Sequence, residues 1–144
     1  MSSSAPGSQP SPAPATEAAA TQATGSQPTV AIVGASADRS KFGNQSIHAH
    51  LSRGYQVFPV NPRGGEIEGL PVHTSIRDIP VARLNRVSVY LPPAVALQVL
   101  PDIAAKGCDE LWLNPGSDSP EVVAAAEQLG LQPIVACSII GLRH

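Results

Sequence analysis

The run Thr29-Val-Ala-Ile-Val-Gly-Ala-Ser-Ala-Asp-Arg-Ser-Lys-Phe-Gly-Asn44 constrains the fold of this chain more than any other stretch. An apolar, β-branched segment, Val30 to Val33, stops abruptly at Gly34 and a string of small residues, and a second glycine, Gly43, opens a helix-like segment. A strand that feeds a small-residue turn and then a helix N-terminus presents free backbone N–H groups at the positive end of a helix dipole. α/β proteins seat phosphate groups in this way. The question becomes which nucleotide binds.

The rest of the chain fits such a frame. Residues 1–28 are Ser, Ala, Pro, Thr, Gln and Gly with one charge, Glu17, and no aromatic or large aliphatic residue after Met1. They cannot bury enough apolar surface to offset the entropy of ordering, so a disordered tail is expected, with a single domain over residues 29–144. The tail lacks the basic start and apolar core of a secretory signal, and no stretch approaches the ~20 apolar residues of a membrane span. A net charge of −2 gives no electrostatic footprint for nucleic acid. Two cysteines, Cys108 and Cys137, fit reduced thiols in a cytoplasmic protein. With two Phe, two Tyr and one Trp, the core must come from Val, Ile, Leu and Ala, which suits a parallel sheet buried on both faces.

Strand and helix signals alternate. Strands are expected at about 30–34, Tyr55–Val60, Arg86–Leu91, Glu110–Asn114 and Pro133–Ala136, with a short edge strand at Gly69–His73. A helix over Gly43–Arg53 carries Ile47 and Leu51 on one face, with Gly54 past its end, and Ser75 caps a brief turn to Ile79. A second helix, about 94–106, bears Val95, Val99 and Ile103; Pro101 inside it predicts a kink or a restart. A third runs from an Ser119 N-cap and Pro120 to Gln128. Strands separated by helices of this length imply right-handed crossovers, hence an α/β three-layer sandwich on a five-stranded, mainly parallel sheet.

In such sheets the ligand lies beyond the carboxyl ends of the strands. Those ends read Gly34-Ala35-Ser36, Asn61-Pro62-Arg63, Leu91-Pro92-Pro93, Asn114-Pro115-Gly116 and Cys137-Ser138. Gly and Pro end strands in any protein, but their recurrence at four of these five points to a site where backbone approaches a ligand closely.

The usual NAD fingerprint, G-x-G-x-x-G with an acidic residue ending the second strand, is absent. The first loop is longer and has no middle glycine, and the second strand ends in Asn61-Pro62-Arg63 without a carboxylate. Arg63, with Arg39 and Lys41 in the first loop, instead favours a nucleotide with an extra ribose phosphate, which an arginine can fork. Coenzyme A and NADP both fit.

Taken together, Val33–Asn44, Phe58–Arg63 with Glu66–Pro71, Tyr90–Pro93, Leu111–Gly116 and Ala136–Ile139 resemble, in order and spacing, the coenzyme A-binding domain family. This is a small Rossmann-like domain also found at the start of the succinyl-CoA synthetase α subunit. The resemblance implies that Gly34, Ala35, Ser36 and the stretch Arg39, Lys41, Phe42, Gly43 and Asn44 wrap the phosphates. It implies that Asn61, Pro62 and Arg63 meet the adenosine end, and that Leu91, Pro92, Pro93, Asn114, Pro115 and Gly116 wall the cleft. The synthetase loop carries a lysine among its glycines, whereas here Arg63 precedes the glycine pair. The synthetases place their phosphorylated histidine in a second domain for which this sequence has no residues, so their ligase chemistry is not expected to carry over.

No catalytic constellation is legible. His48 and His50 lie about 200° apart on a helix and cannot share a metal. His73 follows an edge strand and His144 is terminal. Asp38 is placed to cap a turn, Trp112 and Cys108 to pack. Cys137, at a strand end, is either an inert small hydrophobe or, facing the cleft, a partner for a mixed disulfide with the coenzyme A thiol. The expectation is a cytoplasmic module that binds coenzyme A or an acyl-CoA as a sensor, carrier or regulatory unit. It is expected to bind neither nucleic acid nor membrane, and to associate with itself or with a ligase-type partner. The alternatives are an NADP-binding reductase or one component of an acyl-CoA ligase.

Overall fold

The computed structural model describes residues 27–142, so the expected tail, apart from Gln27 and Pro28, lies outside the described residues, as does His144. In chain order the elements are β1 (Thr29–Val33), α1 (Phe42–Ser52), β2 (Gln56–Val60), β3 (Glu66–Ile67), β4 (Leu70–Pro71) and a 3-10 turn (Ile76–Asp78). They continue with β5 (Leu84–Val89), α2 (Pro93–Lys106), β6 (Cys108–Leu113), α3 (Pro120–Gln128), β7 (Pro133–Val135) and α4 (Ser138–Gly141). Five strands form one sheet in the order β2-β1-β5-β6-β7, and every pairing is parallel. The chain winds one way from β1 to β2 and the other way from β5 onward. A crevice therefore opens between the ends of β1 and β5, where successive connections leave on opposite faces.

Both faces of the sheet are covered, and side chains alternate between them with period two. Ala31, Val33, Val87, Val89, Leu111 and Leu113 pack with Ala96, Leu100 and Ile103 of α2 and Val122 and Ala126 of α3. Val30, Ile32 and Val57 meet Ile47 of α1 on the opposite face. This is the α/β Rossmann-like three-layer sandwich that the strand–helix rhythm predicts.

Three local expectations change. Gly69–His73 is not one edge strand. Leu70–Pro71 turns back on Glu66–Ile67 through Glu68 and Gly69, both at positive φ (52° and 78°), as a two-residue hairpin requires. His73 then makes a single parallel bridge to Val60. The helix α2 runs unbroken through Pro101, which lies on its exposed side, where water can satisfy the carbonyl the proline leaves free. The buried stripe of α1 takes in His50 instead of Leu51, which is 42% exposed.

His50 is tolerated inside because its ring is fully partnered. Nδ1 lies 2.8 Å from the Ser46 carbonyl and so carries the proton, leaving Nε2 to accept from the Arg86 guanidinium at 3.3 Å. Burial, with Arg86 alongside, pushes its pKa down from 6.5 to about 4. The unfolded chain therefore takes up a proton before the folded one does. Stability should be level above pH 6.5 and fall by roughly 3 kcal/mol as the pH drops from 6.5 towards 4. Thermal melts at pH 7.5 and 4.5 should show this fall, and His50→Gln should remove most of it; an equal acid loss in the variant would assign the effect elsewhere.

Candidate functional site

Two glycines bring three backbone segments together at the crevice. Gly34, ending β1, has φ of +92°, and a Cβ on it would collide with the carbonyl oxygen of Tyr90, the residue that follows β5. A Cβ on Gly43, the second residue of α1, would collide in turn with the carbonyl oxygen of Gly34. The helix start thus sits against the strand end with no side chain between them.

The loop from Ser36 to Lys41 is held by its own polar side chains. Ser36 Oγ accepts from the Asp38 amide at 3.0 Å, and Asp38 Oδ1 accepts from the Ser40 amide at 2.9 Å, the turn-capping role expected of Asp38. Asn44 donates to the Ser36 carbonyl at 3.0 Å and to Glu68 Oε2 at 2.9 Å. Glu68, at the hairpin tip, also accepts a fork from Arg39 at 3.2 Å on both oxygens and lies 3.3 Å from His48 Nε2. The Asn44 hydrogen bond, with Arg39 next, holds the Glu68 carboxyl down at about 2.

Which amides stay open differs from the sequence expectation. Those of Gly34 and Ala35 both donate to the Val60 carbonyl, at 3.1 and 3.2 Å, and so belong to the sheet edge. Among the described residues, the amides of Ser36, Ala37, Phe42 and Gly43 donate to no protein acceptor. Lys41, the N-cap residue of α1, offers no side-chain cap, and the first turn contains no acid. By contrast α3 is closed by Ser119 Oγ and carries Glu121. An uncapped start with open amides and a helix dipole favours an anion.

A cleft of about 570 Å³ opens over this loop, walled by Gly34, Ser36, Ser40, Lys41, Phe42 and Gly43 on one side and by Tyr90, Leu91, Pro92, Pro93, Pro115, Gly116 and Ser117 on the other. Phe42 is 64% exposed at its mouth. A smaller, mainly apolar slot of about 150 Å³ adjoins it, sharing Gly34 and Leu91 and extending past Pro62 to Ile76, Val95, Val99, Asp102 and Ile103.

Eleven of the sequence-derived site residues therefore line these two spaces; the others do not. Ala35 is buried. Asn44 is a strut, and Asn61 is another, donating to the Ala35 carbonyl at 2.8 Å. Asn114 is sealed in a buried network. Its Nδ2 donates to Ser88 Oγ and the Val89 carbonyl, and its Oδ1 accepts from the amide of Ser138. Arg39 is engaged by Glu68, and Arg63 is exposed beside Pro62 without lining either space. Cys137 lines neither; it precedes α4, where its carbonyl accepts from the Gly141 amide. Sequence reasoning passed over Tyr90 and Ser117. It placed Val95 and Val99 on the second helix without a role in the site, though both line the slot; Ser117, which pins the Leu91 backbone at 2.6 and 2.8 Å, left no signal of its own.

A profile of the CoA binding domain matches residues 28–143, nearly all of the described chain. The chain belongs to the CoA-binding domain family. Solved structures agree with this assignment. A conserved hypothetical protein from Pyrococcus furiosus is 33% identical, with a TM-score of 0.70 over 80% of this chain and 98% of that one. A protein from Thermus thermophilus is 30% identical, with a TM-score of 0.72 over 81% and 89%. The dinucleotide-forming acetyl-coenzyme A synthetase 1 of Ca. Korarchaeum cryptofilum is 26% identical with a TM-score of 0.63, and there 75% of this chain spans 26% of a much longer one. Within this CoA-binding domain, no described helix is long and apolar enough to cross a membrane.

Proposed function

We propose that this protein binds coenzyme A or an acyl-CoA and acts as a sensor, carrier or regulatory module without chemistry of its own. The supporting observation is the set of open amides at Ser36 and Ala37 in the loop after β1 and at Phe42 and Gly43 on the uncapped start of α1, with Ser36, Phe42 and Gly43 lining the larger cleft. The diphosphate lies over these amides beside Lys41. The pantetheine arm runs between Phe42 and the proline walls of the cleft, the adenosine turns into the slot beside Pro62, and Arg63 reaches the 3′-phosphate. Arg39 adds charge only by leaving Glu68. Cytoplasmic location accompanies this reading, because coenzyme A is abundant there and both cysteines are free thiols.

Calorimetric titration with coenzyme A, dephospho-coenzyme A and NADP tests it. Coenzyme A should bind most tightly. Arg63→Ala should weaken it about fivefold, the worth of one solvent-exposed charge pair, and leave the dephospho form unchanged. Tighter binding of NADP would point to a reductase, and indifference to all three would remove the nucleotide role. A second reading, one component of an acyl-CoA ligase acting with a separate chain, is supported by the similarity to the acetyl-coenzyme A synthetase. Co-purification of an ATP-binding partner would favour it.

A further inference from the structure

The slot beside Pro62 carries one carboxylate on a mainly aliphatic wall. Asp102 projects from α2 near Val99 and Ile103, with its side chain 38% exposed. Its Oδ1 accepts from Arg77 Nε at 2.6 Å, while Oδ2 accepts from no described residue. Two hydroxyls also line the slot: Thr74 Oγ1 donates to Asp78 Oδ2 at 3.3 Å, and Ser75 Oγ accepts from the Arg77 amide at 3.2 Å. No cationic or carboxamide side chain lines the slot. A flat ring entering it meets aliphatic faces and, where its edge reaches Asp102, a charged acceptor with an open oxygen, which rewards a ring edge that donates there and penalises one that accepts. The Arg77 guanidinium offsets the Asp102 charge, so the carboxylate does not repel a polyanionic ligand.

Building on the coenzyme A reading, we infer that Asp102 accepts a hydrogen bond from the exocyclic amino group of the base and makes the site selective for adenine over a 6-oxopurine. A carboxylate at the end of the second strand would grip the ribose diol; Asp102 comes instead from the helix after β5 and lies inside the ring slot.

The test compares coenzyme A with its deaminated counterpart, in which hypoxanthine replaces adenine, by calorimetry. Wild-type protein should bind coenzyme A at least about tenfold more tightly, because the deaminated base turns a carbonyl towards the carboxylate. Asp102→Asn, whose carboxamide can present either a donor or an acceptor, should bring the two affinities within about threefold, and Asp102→Ala should do the same; a melting curve close to wild type shows that each variant is folded. Equal affinities for wild type overturn the inference, as does a preference unchanged in both variants. A protein that binds neither compound sinks the coenzyme A reading itself, an outcome distinct from a lost preference.

Discussion

Gly34→Ala should destabilise the protein by roughly 3–5 kcal/mol and lower its Tm by on the order of 15 °C. Two penalties coincide there. The backbone sits at φ +92°, where an L side chain is strained, and the new Cβ has no room, because it runs into the Tyr90 carbonyl. Other glycines separate the two terms. Gly54 has φ +84° and nothing within 4 Å of a Cβ, so Gly54→Ala carries strain alone and should cost about 1 kcal/mol. Gly43 has no positive φ but collides with the Gly34 carbonyl. Gly43→Ala should therefore cost about 2 kcal/mol, since overpacking outweighs the gain in helix propensity, and it should also push α1 off the strand end and weaken ligand binding. Urea titration of the three variants gives the order directly. If Gly34→Ala matched Gly54→Ala, the approach of β1 to Tyr90 would have slack, and the close seat of the helix start would lose its support.

Much of this architecture is legible in the chain because parallel strands buried on both faces leave runs such as Val30–Val33 and Val87–Val89, and because Gly and Pro mark their ends. Legibility fails where partners distant in sequence decide the outcome. Ile47 and Leu51 look like one buried stripe, yet the stripe passes through His50, whose burial depends on Arg86 thirty-six residues away. Glu66–Pro71 looks extended, yet the positive φ of Glu68 folds it into a hairpin, and a glutamate at such a position gives no warning.

The site shows the same division. Glycines and prolines announce the cleft walls because their backbone properties are intrinsic. Amide availability is not intrinsic: Gly34 and Ala35 look like the centre of a phosphate cradle, but the edge of β2 captures both N–H groups through Val60, and the open donors shift to Ser36, Ala37 and the first turn of α1. Arg39 looks like a ligand for phosphate until the hairpin brings Glu68 to it. Asn44 in the first turn of α1, and Asn61 and Asn114 directly after β2 and β6, look like contacts, yet their side chains serve as struts that hold the loops around the two clefts.

Asn114→Leu tests the last of these struts and should cost roughly 3–5 kcal/mol. The side chain is 1% exposed, so leucine of nearly the same shape leaves no large cavity and the loss is almost wholly polar. The Ser138 amide loses its partner, the Val89 carbonyl keeps only the backbone amide of position 114 at 3.4 Å, and the Ser88 and Ser138 hydroxyls, 2.6 Å apart, keep only each other and Tyr90. The variant also releases the start of α4, which Asn114 Oδ1 holds through both the amide and the hydroxyl of Ser138. Because Pro115 and Gly116 follow directly and wall the larger cleft, coenzyme A affinity should fall with stability, by about tenfold at a temperature where the variant is still folded. A double-mutant cycle separates network from shape. Ser138→Ala in the Asn114→Leu background should cost at least 1 kcal/mol less than it does in wild type, since the partner it removes is already gone. Strict additivity would show that Asn114 and Ser138 act independently, and the rigidity of the Pro115–Gly116 wall would then need a source other than this network.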